Sequence, residues 1–102
     1  MSNFISDCLN GDAFLTDVDD YIDSWHESDT NLPIHEFLGM TKSEYTLFVR
    51  DESNLGYIVS AHRNGDKIEN FIKKISLAAR SDDHAKSEQL EKWLRDEGLW
   101  DE

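Results

Sequence analysis

Helical patterns in this chain keep stopping. Asn10-Gly11, Gly39, Asn64-Gly65 and Gly98 each close a run of apolar residues at helical spacing, and glycine is the residue that ends a helix most readily. A chain punctuated this often builds only short helices. Short helices are marginal alone and hold only by packing on one another. The spacing predicts an opening turn over Asn3 to Leu9. A helix follows, capped by Asp12, with Phe14, Val18, Tyr21, Ile22 and Trp25 on its buried stripe. Pro33 suits the first turn of the next helix, which carries Ile34, Phe37 and Leu38. Thr41-Lys42-Ser43-Glu44 is a capping-box pattern and predicts a helix with Tyr45, Phe48 and Val49 inward. Ser53 is the expected cap for a helix with Leu55, Ile58, Val59 and His62 on one face. Asp66 opens a helix with Ile68, Phe71, Ile72 and Ile75 inward. Ser81 or Asp82 caps the last, with Leu90, Trp93 and Leu94 inward and Leu99-Trp100 folding back. YTLFV is the one strand candidate, and it lies inside a helical pattern. The expectation is an all-α single domain over 1–102, with five or six short helices.

The totals agree with one modest core. The chain has 102 residues, of which 38% are hydrophobic and 11% aromatic, too many for wholesale disorder. The start, MSNFISDCLNGD, lacks the basic and apolar runs of a signal peptide. No apolar stretch nears the ~20 residues of a membrane span. Cys8 is the lone cysteine, so no internal disulfide forms and a reducing cytoplasm is the expected location.

Charge is unevenly placed. The formal net charge is -12, yet residues 1–40 carry nine acids and no Lys or Arg. Residues 41–80 are mildly basic, with seven bases and five acids, and 81–102 are acidic again. Such a field repels phosphate and attracts basic protein surfaces; it also serves solubility alone.

Across the join between the acidic start and the basic middle, LPIHEFLGMTKSEYTLFV (Leu32 to Val49) has the outline of a helix-turn-helix. Ile34 and Leu38 fall on the first helix, Gly39 and Met40 in the turn, and Tyr45 and Phe48 under the second. His35 and Tyr45 depart from the small residues usual at their places. The second helix would offer Lys42, Ser43, Thr46 and Arg50 to DNA, with Lys67, Lys73 and Lys74 nearby. That is a thin set beside the ~6–10 phosphate contacts of a typical specific binder. A DNA reader of this kind would act as a homodimer. The bland alternative is two helices packed across a tight glycine turn.

Catalytic and metal chemistry find little support. Cys8 has no His beside it. His26, His35, His62 and His84 show no ligand spacing, and His62 falls on an apolar stripe. DVDDYID opens like a calcium loop but lacks the turn glycine and puts Tyr21 at a ligand position. No glycine-rich phosphate loop occurs. The expectation is therefore a protein that is not an enzyme, with no cofactor and no metal.

The acidic helix asks for a reason. Asp17, Asp19, Asp20, Asp23 and Glu27 form a one-sign surface whose self-repulsion a basic partner would relieve. Trp25 and Trp100 are candidate aromatic anchors. At DDYIDSWHES and LPIHEFLGMTKSEYTLFV the chain resembles short acidic bacterial and prophage proteins of antitoxin-like or phage accessory type. The residues that carry this are Asp19, Asp20, Tyr21, Trp25 and His26, then Leu38, Gly39, Met40, Glu44 and Tyr45, within about residues 12–60. The resemblance implies a small regulator or inhibitor and transfers no catalytic residue. The leading expectation is a protein that neutralises a basic, nucleic-acid-binding partner such as a toxin, a nuclease or a defence complex. Antitoxin, immunity and phage anti-defence (anti-CRISPR) proteins are of this type. A helix-turn-helix transcriptional regulator is the alternative.

Overall fold

A computed structural model describes residues 3–99 of the chain. Seven α-helices and two 3-10 turns occupy them: α1 (Phe4–Leu9), a 3-10 turn (Leu15–Asp17), α2 (Val18–Glu27), α3 (Ile34–Leu38), α4 (Lys42–Arg50), a 3-10 turn (Glu52–Asn54), α5 (Leu55–Asn64), α6 (Ile68–Asp82) and α7 (His84–Asp96). Among the described residues there is no strand, so the fold is all-α as expected. The expected five or six helices are corrected to seven. The opening turn is a full helix in its own right, because Asn3 and Ser6 cap it reciprocally at 2.8 and 2.9 Å and Phe4 is completely buried. Helices this short are held by caps and burial, which hydrophobic periodicity does not report.

The glycine stops are real and share one geometry. At Gly11, Gly39, Gly65 and Gly98 the backbone is left-handed. The residue after each donates its N–H back to a carbonyl five positions earlier: Asp12 to Asp7, Met40 to His35, Asp66 to Ala61 and Leu99 to Leu94, at 2.7 to 2.9 Å. This is the Schellman closure. Gly39 carries a second constraint, since a Cβ there would sit 2.4 Å from Asn3 Oδ1. The cap of α1 and the stop of α3 thus touch only because position 39 has no side chain.

One core joins all seven helices, with α2 contributing only Val18 at its first position. Phe4, Leu38, Leu47, Ile58, Ile72, Leu90, Trp93 and Leu94 are fully buried, from α1, α3, α4, α5, α6 and α7. α6 and α7 form a hairpin separated by Asp83, whose carboxylate accepts the Lys86 N–H at 3.0 Å. The expected cap at Ser81 or Asp82 therefore moves one residue on. Ser76 and Ser87 are buried where the two helices cross, and Ser87 Oγ donates to the Ser76 carbonyl at 3.1 Å. Small hydroxyl side chains let the axes approach while leaving no polar atom unpaired.

The Thr41–Glu44 box forms as expected, with bonds of 2.7 and 3.1 Å. Glu44 does more than cap. Its carboxylate is buried and lies 2.8 Å from His62 Nε2 on α5. The face of α4 turns accordingly: Glu44, Leu47 and Phe48 are buried, while Val49, expected inward, is exposed. Other caps shift too. Asp51, not Ser53, caps the turn before α5, and Asp66 does not cap α6, whose preceding residue is Lys67.

Two glycine replacements separate backbone strain from collision. Gly65→Ala meets only the left-handed penalty, because its Cβ would enter open space, and destabilises by ~1 kcal/mol. Gly39→Ala adds the Asn3 clash and should lose clearly more in urea denaturation. Equal losses would show that Asn3 moves aside freely.

Candidate functional site

α2 lies on the bundle rather than in it. Its only buried residue is Val18, at its first position, while Tyr21, Ile22 and Trp25 are half-buried. Two polar ties hold it. Tyr21 donates its hydroxyl to Asp7 of α1 at 2.5 Å, with its ring edge-on to Phe4. Trp25 donates its indole N–H to the Leu32 carbonyl at 2.9 Å, closing the segment that leads to α3. Trp25 is therefore a half-buried strut, which leaves less of it for a partner than a free aromatic would offer.

The acids divide by role. Asp17 is half-buried and its Oδ2 accepts the Phe14 N–H at 2.9 Å, so it organises the chain before α2. Asp19, Asp20, Asp23 and Glu27 are exposed. Asp19, Asp23 and Glu27 are four residues apart, so they form one row along the helix, with Asp20 beside it. Like charges at this spacing destabilise a helix, and an acid in the last turn opposes the helix dipole. Asp19 and Asp20, in the first turn, gain from that dipole. The ion pairs Arg50–Asp96, Lys74–Asp66, Arg80–Glu91 and Lys86–Asp51 all join residues beyond position 49. None of these pairs, among the described residues, involves a carboxylate of the α2 row. Trp100 lies outside the described residues.

The DNA-facing set is placed differently. α3, Gly39 and α4 fold in the expected order, and Lys42 is exposed. Ser43 is half-buried and its carbonyl accepts the Thr46 hydroxyl at 2.8 Å. Trp93 of α7 donates its indole N–H to that same Thr46 oxygen at 3.1 Å, and Arg50 pairs with Asp96 of α7 at 2.8 Å. One turn of α7, Trp93 to Asp96, thus contacts the side of α4 that would have to enter a groove. Lys86 of α7 reaches Asn54 Oδ1 at 2.7 Å and sits over the Tyr57 ring, extending the contact to α5.

No cluster of three or more His, Cys, Asp or Glu among the described residues is arranged to hold a metal ion. Among them, no helix is long and apolar enough to cross a membrane. Burial and the nearby Asp17 and Asp7 charges push the Cys8 thiol up from its ordinary range, which keeps it protonated and a poor nucleophile.

Sequence reasoning missed Phe14. It was expected inside and is 77% exposed, because Asp12 and Ala13 both donate their N–H to the Asp7 carbonyl and hold this stretch extended. The expected cap at Asp12 is lost for the same reason. No protein-family model matches the chain, and neither a curated protein nor a solved structure matches it.

Two outcomes follow from this geometry. Asp23→Lys replaces two repulsions along the α2 row by two attractions, and should stabilise the isolated protein by ~1 kcal/mol at low salt in urea denaturation. An unchanged midpoint would mean that solvent already screens the row. The hydrogen bond to Asp7, with burial and the Asp7 charge, pushes the Tyr21 phenol up to about 12. Its raised value means that this tie contributes fully below the ordinary phenol range near 10 and is lost as pH rises toward 12. Ultraviolet titration should show the Tyr21 step moving to lower pH in Asp7→Asn.

Proposed function

We propose that this protein is a small binding inhibitor that neutralises a basic, nucleic-acid-binding protein by occupying its surface, as antitoxin, immunity and phage anti-defence proteins do. The observation that carries this reading is α2: four exposed acids on one helix, a row of three of them at four-residue spacing, in a stretch of 40 residues without a Lys or Arg. The arrangement lowers the stability of the free protein. A cationic partner would relieve the repulsion and be drawn in rapidly by the same field.

The mechanism is steric and electrostatic. α2 is tied down by Tyr21 and Trp25, so its carboxylates are presented on a fixed helix and little order must be gained on binding. Carboxylates on such a row mimic the charge of a nucleic-acid backbone and would occupy the Lys and Arg groups that hold it.

The alternative, a helix-turn-helix regulator, draws support from the α3–Gly39–α4 order and the exposed Lys42. The engagement of Thr46 and Arg50 by α7 favours the protein-binding reading, since a groove would have to displace Trp93 and Asp96 from them.

Affinity co-purification from the native host, with nuclease treatment, tests the proposal. The wild-type chain should retain a stoichiometric basic protein. The combined Asp19→Lys, Asp23→Lys and Glu27→Lys variant should lose it while keeping its helical circular dichroism. A partner retained unchanged by the variant would overturn the proposal, and recovery of DNA that vanishes on nuclease treatment would favour the regulator.

A further inference from the structure

Phe14 and Leu15 form an apolar ridge beside α2 that the core does not use. Phe14 is 77% exposed and Leu15 41%. The ridge is nonetheless rigidly built. Phe14 N–H donates to Asp17 Oδ2 at 2.9 Å, Asp17 N–H donates to the Phe14 carbonyl at 3.0 Å, and the two residues before Phe14 are anchored on Asp7. A large aromatic carried outside the core on a fixed backbone suits a binding anchor, because little loop freedom is lost when it docks.

Beneath the ridge the surface opens on both sides of Leu15. Gly56, in the first turn of α5, provides the floor, and a Cβ there would lie 3.7 Å from Leu15 Cδ1. On the α2 side is a hollow of about 410 Å³, with Leu15, Val18 and Leu55 as its apolar wall and Asp19 and Glu52 as its charged residues. On the other side is a hollow of about 300 Å³, lined by Ala13, Phe14, Val59 and the cation Arg63. Charge is therefore graded across the ridge. Asp19 and Glu52 stand on the α2 side, and Arg63 stands at the far side.

We propose that this ridge and its paired hollows are the apolar anchor of the binding surface. The occupant is a segment of a basic protein that carries apolar side chains next to Lys or Arg. Its apolar side chains seat against Phe14 and Leu15, and its cations lie toward Asp19 and Glu52. The inference rests on the reading of α2 as a surface for a basic partner, and it relocates the hydrophobic part of that contact from Trp25 to Phe14. The sign of the partner comes from the acids of the wall, and its apolar content comes from the ridge.

Fluorescence anisotropy with three labelled peptides tests this. The first is an amphipathic peptide of Leu and Lys, the second its equally charged Gln-for-Leu analogue, and the third its Glu-for-Lys analogue. Amide chemical-shift mapping locates each contact. The Leu/Lys peptide should bind, shift Leu15, Val18, Leu55 and Gly56, and weaken about tenfold or more in Phe14→Ala. Phe14 is mostly outside the core, so that variant should keep its fold. Equal binding of the Gln/Lys analogue, with shifts confined to α2, would overturn the inference and leave the acidic-helix reading standing. Equal binding of the Leu/Glu analogue would overturn the basic character of the occupant. A dimer in sedimentation that Phe14→Ala dissolves would assign the ridge to a second copy and also overturn it. Failure of both cationic peptides to bind at low salt would count against the ridge and the acidic-helix reading together.

Discussion

The seating of Trp93 is the interaction on which the rest of the molecule depends. Its ring is fully buried, as are Leu90 and Leu94 of its own helix, and its N–H finds Thr46 on α4. An indole buried in this way contributes several kcal/mol, and truncating one to Ala typically costs ~3–5 kcal/mol. It also decides what α4 can do. Through Trp93 and Asp96, α7 engages Thr46 and Arg50 of α4, so both residues carry contacts within the fold.

The two halves of the chain are held in different ways. From α4 onward, charged side chains pair across elements: Glu44 with His62, Arg50 with Asp96, Arg80 with Glu91 and Lys86 with Asp51. Most are partly exposed and individually contribute little. The buried Glu44 is different, because its carboxylate satisfies the Thr41 N–H and His62 at once. The first 40 residues have no Lys or Arg with which to form such pairs. They are secured instead by backbone closures, by the Asn3–Ser6 box, by Tyr21 on Asp7 and by Trp25 on Leu32. Among the described residues, these cross-element ion pairs bypass the α2 carboxylates, and the helix that carries them is nevertheless fixed.

Much of this was legible in the residues. Asp19, Asp20, Asp23 and Glu27 fall off the apolar stripe of α2, and they are exposed as that stripe implies. Leu90, Trp93 and Leu94 are spaced to face inward together and do so. Phe14 shows where such reasoning fails. Its spacing to Val18 and Tyr21 is helical, but a helix has to include residue 14 for that spacing to matter. The Asp7 carbonyl holds Asp12 and Ala13, so the chain stays extended until Leu15. Asp17, grouped in the sequence with the surface acids, is half-buried and also accepts the Phe14 N–H in the turn before α2.

The sequence by itself determined where helices stop, because left-handed closures and reciprocal caps are local: glycine at 39 and 65, or Thr41 with Glu44, needs only its neighbours along the chain. It also determined the one-sign character of α2, because charge is carried by residue type. The tertiary structure alone decided which helix faces are covered. Whether Thr46 meets Trp93 or solvent, whether Val49 or Glu44 is buried, and whether Phe14 joins the core all depend on elements far away in sequence. Those outcomes follow from the fit of particular side-chain shapes across an interface, and no single segment encodes that fit.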